Sequence, residues 1–213
     1  MIINKLYRIG ALLLLLNLSS TFALSSCNSF FHQKTDNKRV VQDNGSSCSM
    51  ATSTLALNYL VPSHFKLDMG QIRAFLGPNH LWNSYTAKDG KGVILEELET
   101  FLNELAKSSK LDLTAKTYHA DYWQDAQEMA QDLNIWQAQE NQAVIINLKE
   151  PDEEVGHYVF LNSLNKENVS LTDPYPGKEK PLIMSYQELY LRMKTVDAEA
   201  QKYRGLILLR KNH

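Results

Sequence analysis

The stretch "VVQDNGSSCSMATSTLALNYL", Val40 to Leu60, decides the reading of this chain. Met50, Ala51, Leu55, Leu57 and Leu60 are spaced for a helix, with helix formers between them. Ser46 and Ser47 are good helix-start residues, and Pro62 stops the run. The spacing predicts a helix over 47–60 with Cys48 in its first turn. A thiol there is chemically special, because unbonded N–H groups and the helix dipole favour the thiolate, which is the nucleophilic form. Six residues upstream, Gln42 carries an amide that the turn-rich "DNGSS" can fold back over the sulfur. Together with the N–H of Cys48, that amide would donate to a tetrahedral oxyanion.

The sequence holds two cysteines, and the other is Cys27. Lys5 and Arg8 make a basic start, and "ALLLLLNLSSTFAL" (11–24) is an apolar core broken by Asn17, Ser19 and Ser20. That is the length of a signal-peptide core and short for a membrane span. Leu24-Ser25-Ser26-Cys27 resembles the bacterial lipobox. The resemblance implies that residues 1–26 are a lipoprotein signal peptide, that Cys27 is lipidated, and that the lipid holds a soluble domain at a membrane. Residues 27–38 then form a lipidated tether, and 39–213 the domain. Asn28, where Asp would favour inner-membrane retention, leans towards the outer membrane, facing the periplasm or the surface. With Cys27 lipidated, Cys48 has no partner for an internal disulfide. It is either a reactive thiol or a small buried hydrophobe.

Removal of residues 1–26 leaves 187 residues with a net charge of −4, enough for one domain with a sizeable core. There is no basic patch with interleaved aromatics, so nucleic acid is not an expected partner. The spacings of structural zinc sites are absent, and neither metal nor cofactor is expected.

Further along, Asp68 starts a short helix over 69–76. Residues 77–92 read as irregular, and the loop 82–92 could flank a cleft. "VILEELETFLNELAKSS" is an amphipathic helix with Leu95, Leu98, Phe101, Leu102 and Leu105 on one face. "LDLTAKTYH" alternates like a strand. "DYWQDAQEMAQDLNIWQAQ" (121–139) reads as a helix whose apolar stripe is core. Strands follow at 142–148, 157–164 and 168–173, the last two joined by the turn "NKEN" as an antiparallel hairpin. Ser185 caps a helix over 185–193, and "RGLILLR" (204–210) closes as a strand. Helices first and an antiparallel sheet second indicate an α+β domain.

A nucleophilic thiolate needs an imidazole, and the imidazole a group to orient it. Of the histidines after the signal segment, only His157 opens a well-defined strand, in "GHYVFLNSL". Gly156 beside it is expected to leave room for a substrate backbone. Asp173, in "TDPYPG", ends the next strand. The start of one hairpin strand lies beside the end of the next, so topology brings His157 and Asp173 together. Asp173 could also simply cap its turn.

The order Gln42-x5-Cys48, "GHYV" with His157 and "DP" with Asp173 resembles the papain-like cysteine peptidases, and within them the bacteriocin-processing family that trims double-glycine leaders. The resemblance spans roughly 40 to 210. It implies an N-terminal helical half, with the cysteine on a helix start, packed on a C-terminal antiparallel sheet. It implies Cys48 as nucleophile, His157 as general base and acid, Asp173 as orienter and Gln42 in the oxyanion hole. Ser47 and Ser49 stand where that family commonly has an acidic residue and a glycine.

The expected function is a lipid-anchored cysteine peptidase of the cell envelope that hydrolyses an exported or surface polypeptide, with secretion or surface-assembly proteins as partners. Two other readings stay open. One is a murein peptide hydrolase, although such enzymes usually show Asp-Cys-Ser-Gly at the nucleophile. The other is a non-catalytic peptide-binding assembly or chaperone module that keeps a papain-like cleft.

Overall fold

The computed structural model describes residues 40–42, 47–61, 66–76, 93–151, 156–198 and 200–212. The chain divides into two units, Met1–Phe31 and His32–His213, and every described residue belongs to the second. The expected signal segment, tether, Cys27 and the loop 82–92 lie outside the described residues, as do His32, His64, His80 and His213. Among the described residues no helix is long and apolar enough to cross a membrane.

Three helices come first: α1 (Cys48–Leu60), α2 (Met69–Leu76) and α3 (Leu95–Ser108). After β1 (Leu113–His119), a 3₁₀ turn (Ala120–Tyr122) and α4 (Ala126–Gln137) come β2 (Gln142–Lys149), β3 (Gly156–Leu164), β4 (Asn168–Thr172) and β5 (Leu182–Ser185). Then follow α5 (Tyr186–Met193), the two-residue strands β6 (Val196–Asp197) and β7 (Lys202–Tyr203), and β8 (Gly205–Lys211). Six strands form one antiparallel sheet in the order β1-β8-β2-β3-β4-β5.

The alternation of side chains along β2 sorts the core into two clusters. Ala143 and Ile145 face the first, which they share with α1 and α3, including Leu98, Phe101 and Leu102. Val144, Ile146 and Leu148 face the second, with Met129 and Leu133 of α4 and Leu189 and Met193 of α5. The early helices therefore cover one face of the sheet, as expected, and α4 and α5 cover the other. Fully burying each large α3 side chain contributes about 1.5–3 kcal/mol, so α3 docks by its predicted stripe.

The helix α1 is not amphipathic. Every residue from Cys48 to Asn58 is buried, polar ones included. Its hydroxyls bond back to their own helix: Thr52 Oγ1 donates to the carbonyl of Cys48 (2.8 Å), Ser53 to that of Ser49 (2.7 Å) and Thr54 to that of Met50 (2.8 Å). Small side chains that satisfy themselves this way let a helix be enclosed on all sides, while Ser49 Oγ finds no partner among the described residues. Ser47 does sit at the N-cap, but its side chain makes no capping bond.

The helix expected over 121–139 starts only at Ala126, because Asp125 accepts from the N–H groups of Gln127 (2.8 Å) and Glu128 (2.9 Å) and fixes the cap there. The strand β5, not expected from sequence, runs into α5, whose cap is Ser185 accepting from Glu188 N–H (3.1 Å). The turn joining β3 to β4 closes on Asn165 Oδ1, which accepts from Glu167 N–H (2.9 Å) and Asn168 N–H (2.7 Å).

Candidate active site

The first turn of α1 presents Cys48, and α1 packs on β2, β3 and β8. The thiol is buried, with 8% of the residue exposed. His157 opens β3 next to Gly156. The pairing of β3 with β4 ends at Phe160 opposite Thr172, so the chain leaving β4 runs back alongside His157. Asp173 thereby meets the ring, with His157 Nε2 lying 2.7 Å from Asp173 Oδ1. The carboxylate can only accept, so Nε2–H donates. That occupation leaves Nδ1 for the sulfur, and His157 is also hydrogen-bonded to Cys48.

Burial alone would pull the His157 ring towards its neutral form. The hydrogen bond the ring makes to Asp173, then that to Cys48 and the charges of both, outweigh it, and the imidazolium is pushed up to about 10. Burial would raise Asp173 as well. The bond and charge of His157, the N–H of Tyr175 and the charge of Lys178 instead hold it below the usual carboxylate range. Asp173 Oδ1 accepts from Tyr175 N–H at 2.8 Å, so the same atom closes the "DPY" turn and orients the ring. Asp173 thus both closes its turn and bonds the ring.

Gln42 is buried, and its main-chain N–H donates to the carbonyl of Pro174 at 2.9 Å. The segment before α1 is thus tied to the turn that carries Asp173. Cys48, His157 and Asp173 come together at this corner of the fold, and the main chain of Gln42 is tied to the turn beside them. Among the other histidines only His119 is described. Its Nδ1 lies 2.6 Å from the carbonyl of Tyr203 and its Nε2 3.1 Å from Glu96 Oε1, so it ties β1 to β7 and α3.

Gly156 corrects one expectation. A Cβ at this position would overlap the guanidinium of Arg204 and the side-chain amide of Asn147. The space beside His157 holds protein groups and is not left for a substrate backbone. Arg204 donates to Asn147 Oδ1 (3.2 Å) and to Asp197 Oδ2 (2.6 Å), and Tyr158 OH donates to the carbonyl of Val93 (2.8 Å). This buried network pins the strand from which His157 projects.

Sequence reasoning missed three neighbours. The Tyr175 ring meets the His157 ring edge-on, centroids 6.5 Å apart, and is about half exposed. Glu150, just beyond β2, brings a carboxylate oxygen within 4.8 Å of a His157 ring nitrogen and an Asp173 oxygen. Arg192 of α5 holds Glu150 at 3.6 Å. Glu150, His157 and Asp173 have ligand atoms close enough for a metal ion. Asp173 Oδ1 already accepts two N–H groups, however, and the imidazolium and Arg192 already supply cations. The signal for Glu150 lay in the hairpin register: Leu148 pairs with His157 and Lys149 with Gly156, which aims the next residue at the ring.

No family model matches the sequence, and comparison with curated proteins finds no match. Solved structures do match. A protein described as a C39-like peptidase from Bacillus anthracis is 13% identical, with 83% of this chain and 96% of that one covered, at a TM-score of 0.50. The peptidase domain of Streptococcus ComA, a bifunctional ABC transporter of a quorum-sensing pathway, is 15% identical over 81% of this chain and 97% of that one, at 0.47. A double-glycine-motif protease from an AMS/PCAT transporter, solved with a leader peptide, is 14% identical over 82% and 91%, at 0.46. At such identities the likeness is one of fold: the chain has the α+β, papain-like fold of the C39-like peptidase.

Proposed function

We propose that the chain is a cysteine peptidase that hydrolyses peptide bonds of an exported or surface polypeptide, anchored in the cell envelope through lipid on Cys27. One observation carries the catalytic part: Cys48, at a helix start, is hydrogen-bonded to an imidazole whose far nitrogen is held by a buried carboxylate. The imidazolium and the helix N-terminus are both suited to a thiolate.

In this reading the Cys48 thiolate attacks the scissile carbonyl carbon, forming the S–C bond and moving an electron pair onto oxygen. Gln42 and the Cys48 N–H donate to that oxyanion. The intermediate collapses with cleavage of the C–N bond, and His157 gives its Nδ1 proton to the leaving amine. The neutral ring then takes a proton from water, whose oxygen attacks the thioester. The acid leaves, and thiolate and imidazolium are restored. Asp173 keeps the ring in the tautomer and orientation that both halves need.

The test compares N-termini of exported proteins between wild type and a Cys48→Ser strain. Termini that vanish in the mutant support the reading and identify the substrate. Identical termini, together with Cys48-dependent digestion of purified murein, move the substrate to cell-wall peptide. Identical termini with no turnover of any peptide leave only binding.

A further inference from the structure

We propose that Glu150 is a positioning residue for His157: a second carboxylate, held back by Arg192, that shares the imidazolium with Asp173. The assignment rests on the same geometry as the peptidase reading, but not on turnover.

The two carboxylates arrive independently. Asp173 comes from the turn after β4, and Glu150 from the end of β2, where the β2–β3 register carries the chain to His157. A Glu150 oxygen lies within 4.8 Å of a ring nitrogen, close enough for its charge to act. Its side chain is 28% exposed, so water screens it partly. Asp173 has a cation within bonding distance and needs no second one. Glu150 instead looks both ways, to the imidazolium and to Arg192.

Arg192 is built in. Its Nε donates to the carbonyl of Lys149 at 2.8 Å, one residue before Glu150, and its side chain is only 14% exposed. Its other carboxylate, Glu188, lies at 3.9 Å and is 55% exposed. The guanidinium is thus clamped to the main chain that carries Glu150, and it sets where that carboxylate rests. Among the described residues, the titratable groups facing His157 are Cys48 from α1, Asp173 from the turn after β4 and Glu150 from the end of β2, with the Tyr175 ring on its edge. Lys178 acts on Asp173.

When Asp173 loses its charge, Glu150 is the carboxylate that remains next to the ring among the described residues. The two positions are therefore coupled. The test is the titration midpoint of the His157 imidazole, followed by NMR in ring-labelled protein, for Glu150→Gln, Asp173→Asn, Arg192→Met and their pairs. Glu150→Gln is expected to lower the midpoint by about half a unit, and by about a unit or more in the Asp173→Asn background. Arg192→Met is expected to raise it only while Glu150 is present. Midpoints that Glu150→Gln leaves within about a tenth of a unit in both backgrounds overturn the proposal. So does an Arg192→Met rise that persists without Glu150, which also decides the matter where Asp173→Asn does not fold. A coupled midpoint in a chain with no peptidase turnover sustains this assignment while the peptidase reading falls. Turnover with an uncoupled midpoint does the reverse.

Discussion

Replacing Asp173 with Asn keeps the shape and an acceptor but removes the charge that faces His157. Asp173 and His157 are both buried, 4% and 8% exposed, so what is lost is one half of a buried ion pair. The rise of His157 from 6.5 to about 10 sets a ceiling of about 5 kcal/mol, at 1.36 kcal/mol per unit. Cys48 supplies part of that rise, and the amide restores part of the hydrogen bond. We expect a loss of about 2–3 kcal/mol near pH 6, below the 3–5 kcal/mol typical of breaking a buried pair outright. The pH dependence follows from the signs. His157 is raised, so its share is complete below its ordinary 6.5 and fades as pH rises towards 10. Asp173 is lowered, so its share is complete above its ordinary 3.8 and fades as pH falls further. Urea unfolding of both proteins from pH 3 to 10 should show the gap widest at about pH 4.5–6.5 and narrowing on both sides. A gap of constant size across that range would refute the ion pair.

Gln42→Ala should lower kcat by about 10²–10³-fold with little change in KM, since an oxyanion donor acts on the transition state; steady-state kinetics on a peptide substrate read this. Gly156→Ala should destabilise by about 1–3 kcal/mol, because the new methyl meets Arg204 and Asn147; thermal melts report it. Ser185→Ala should cost about 1 kcal/mol by removing the α5 cap, with the His157 midpoint unchanged.

Much of this was legible because the chemistry is local. The α3 stripe, the cap at Ser185 and the β3–β4 turn each announce themselves within a few residues. His157 and Asp173 were also readable, since a hairpin fixes who stands beside whom. The reading of α1 as a helix held, but its complete burial was harder to see. Its serines and threonines look solvent-facing until the hydroxyls of Thr52, Ser53 and Thr54 are paired with their own helix carbonyls. The absence of any Asp, Glu, Lys or Arg from Asn44 to Phe65 was the available sign. Gly156 misled because a glycine records that space is needed, not for what. Arg204 fills it from 48 residues away. Glu150 and Arg192 meet only after β2 and α5 are packed, and no spacing in the sequence carries that. The strand β5 was missed because its four residues follow Pro181 and carry too short an alternation to stand out.

The most direct test of the central claim, that the imidazole and the sulfur of Cys48 work as one unit, is the rate of Cys48 alkylation against pH in the wild-type chain and in His157→Ala. Near pH 6 the wild type should label at least about tenfold faster, with His157→Ala climbing only at higher pH as an unassisted thiol does. Superimposable profiles would contradict the account, since they would mean that the ring beside the sulfur does nothing to its reactivity.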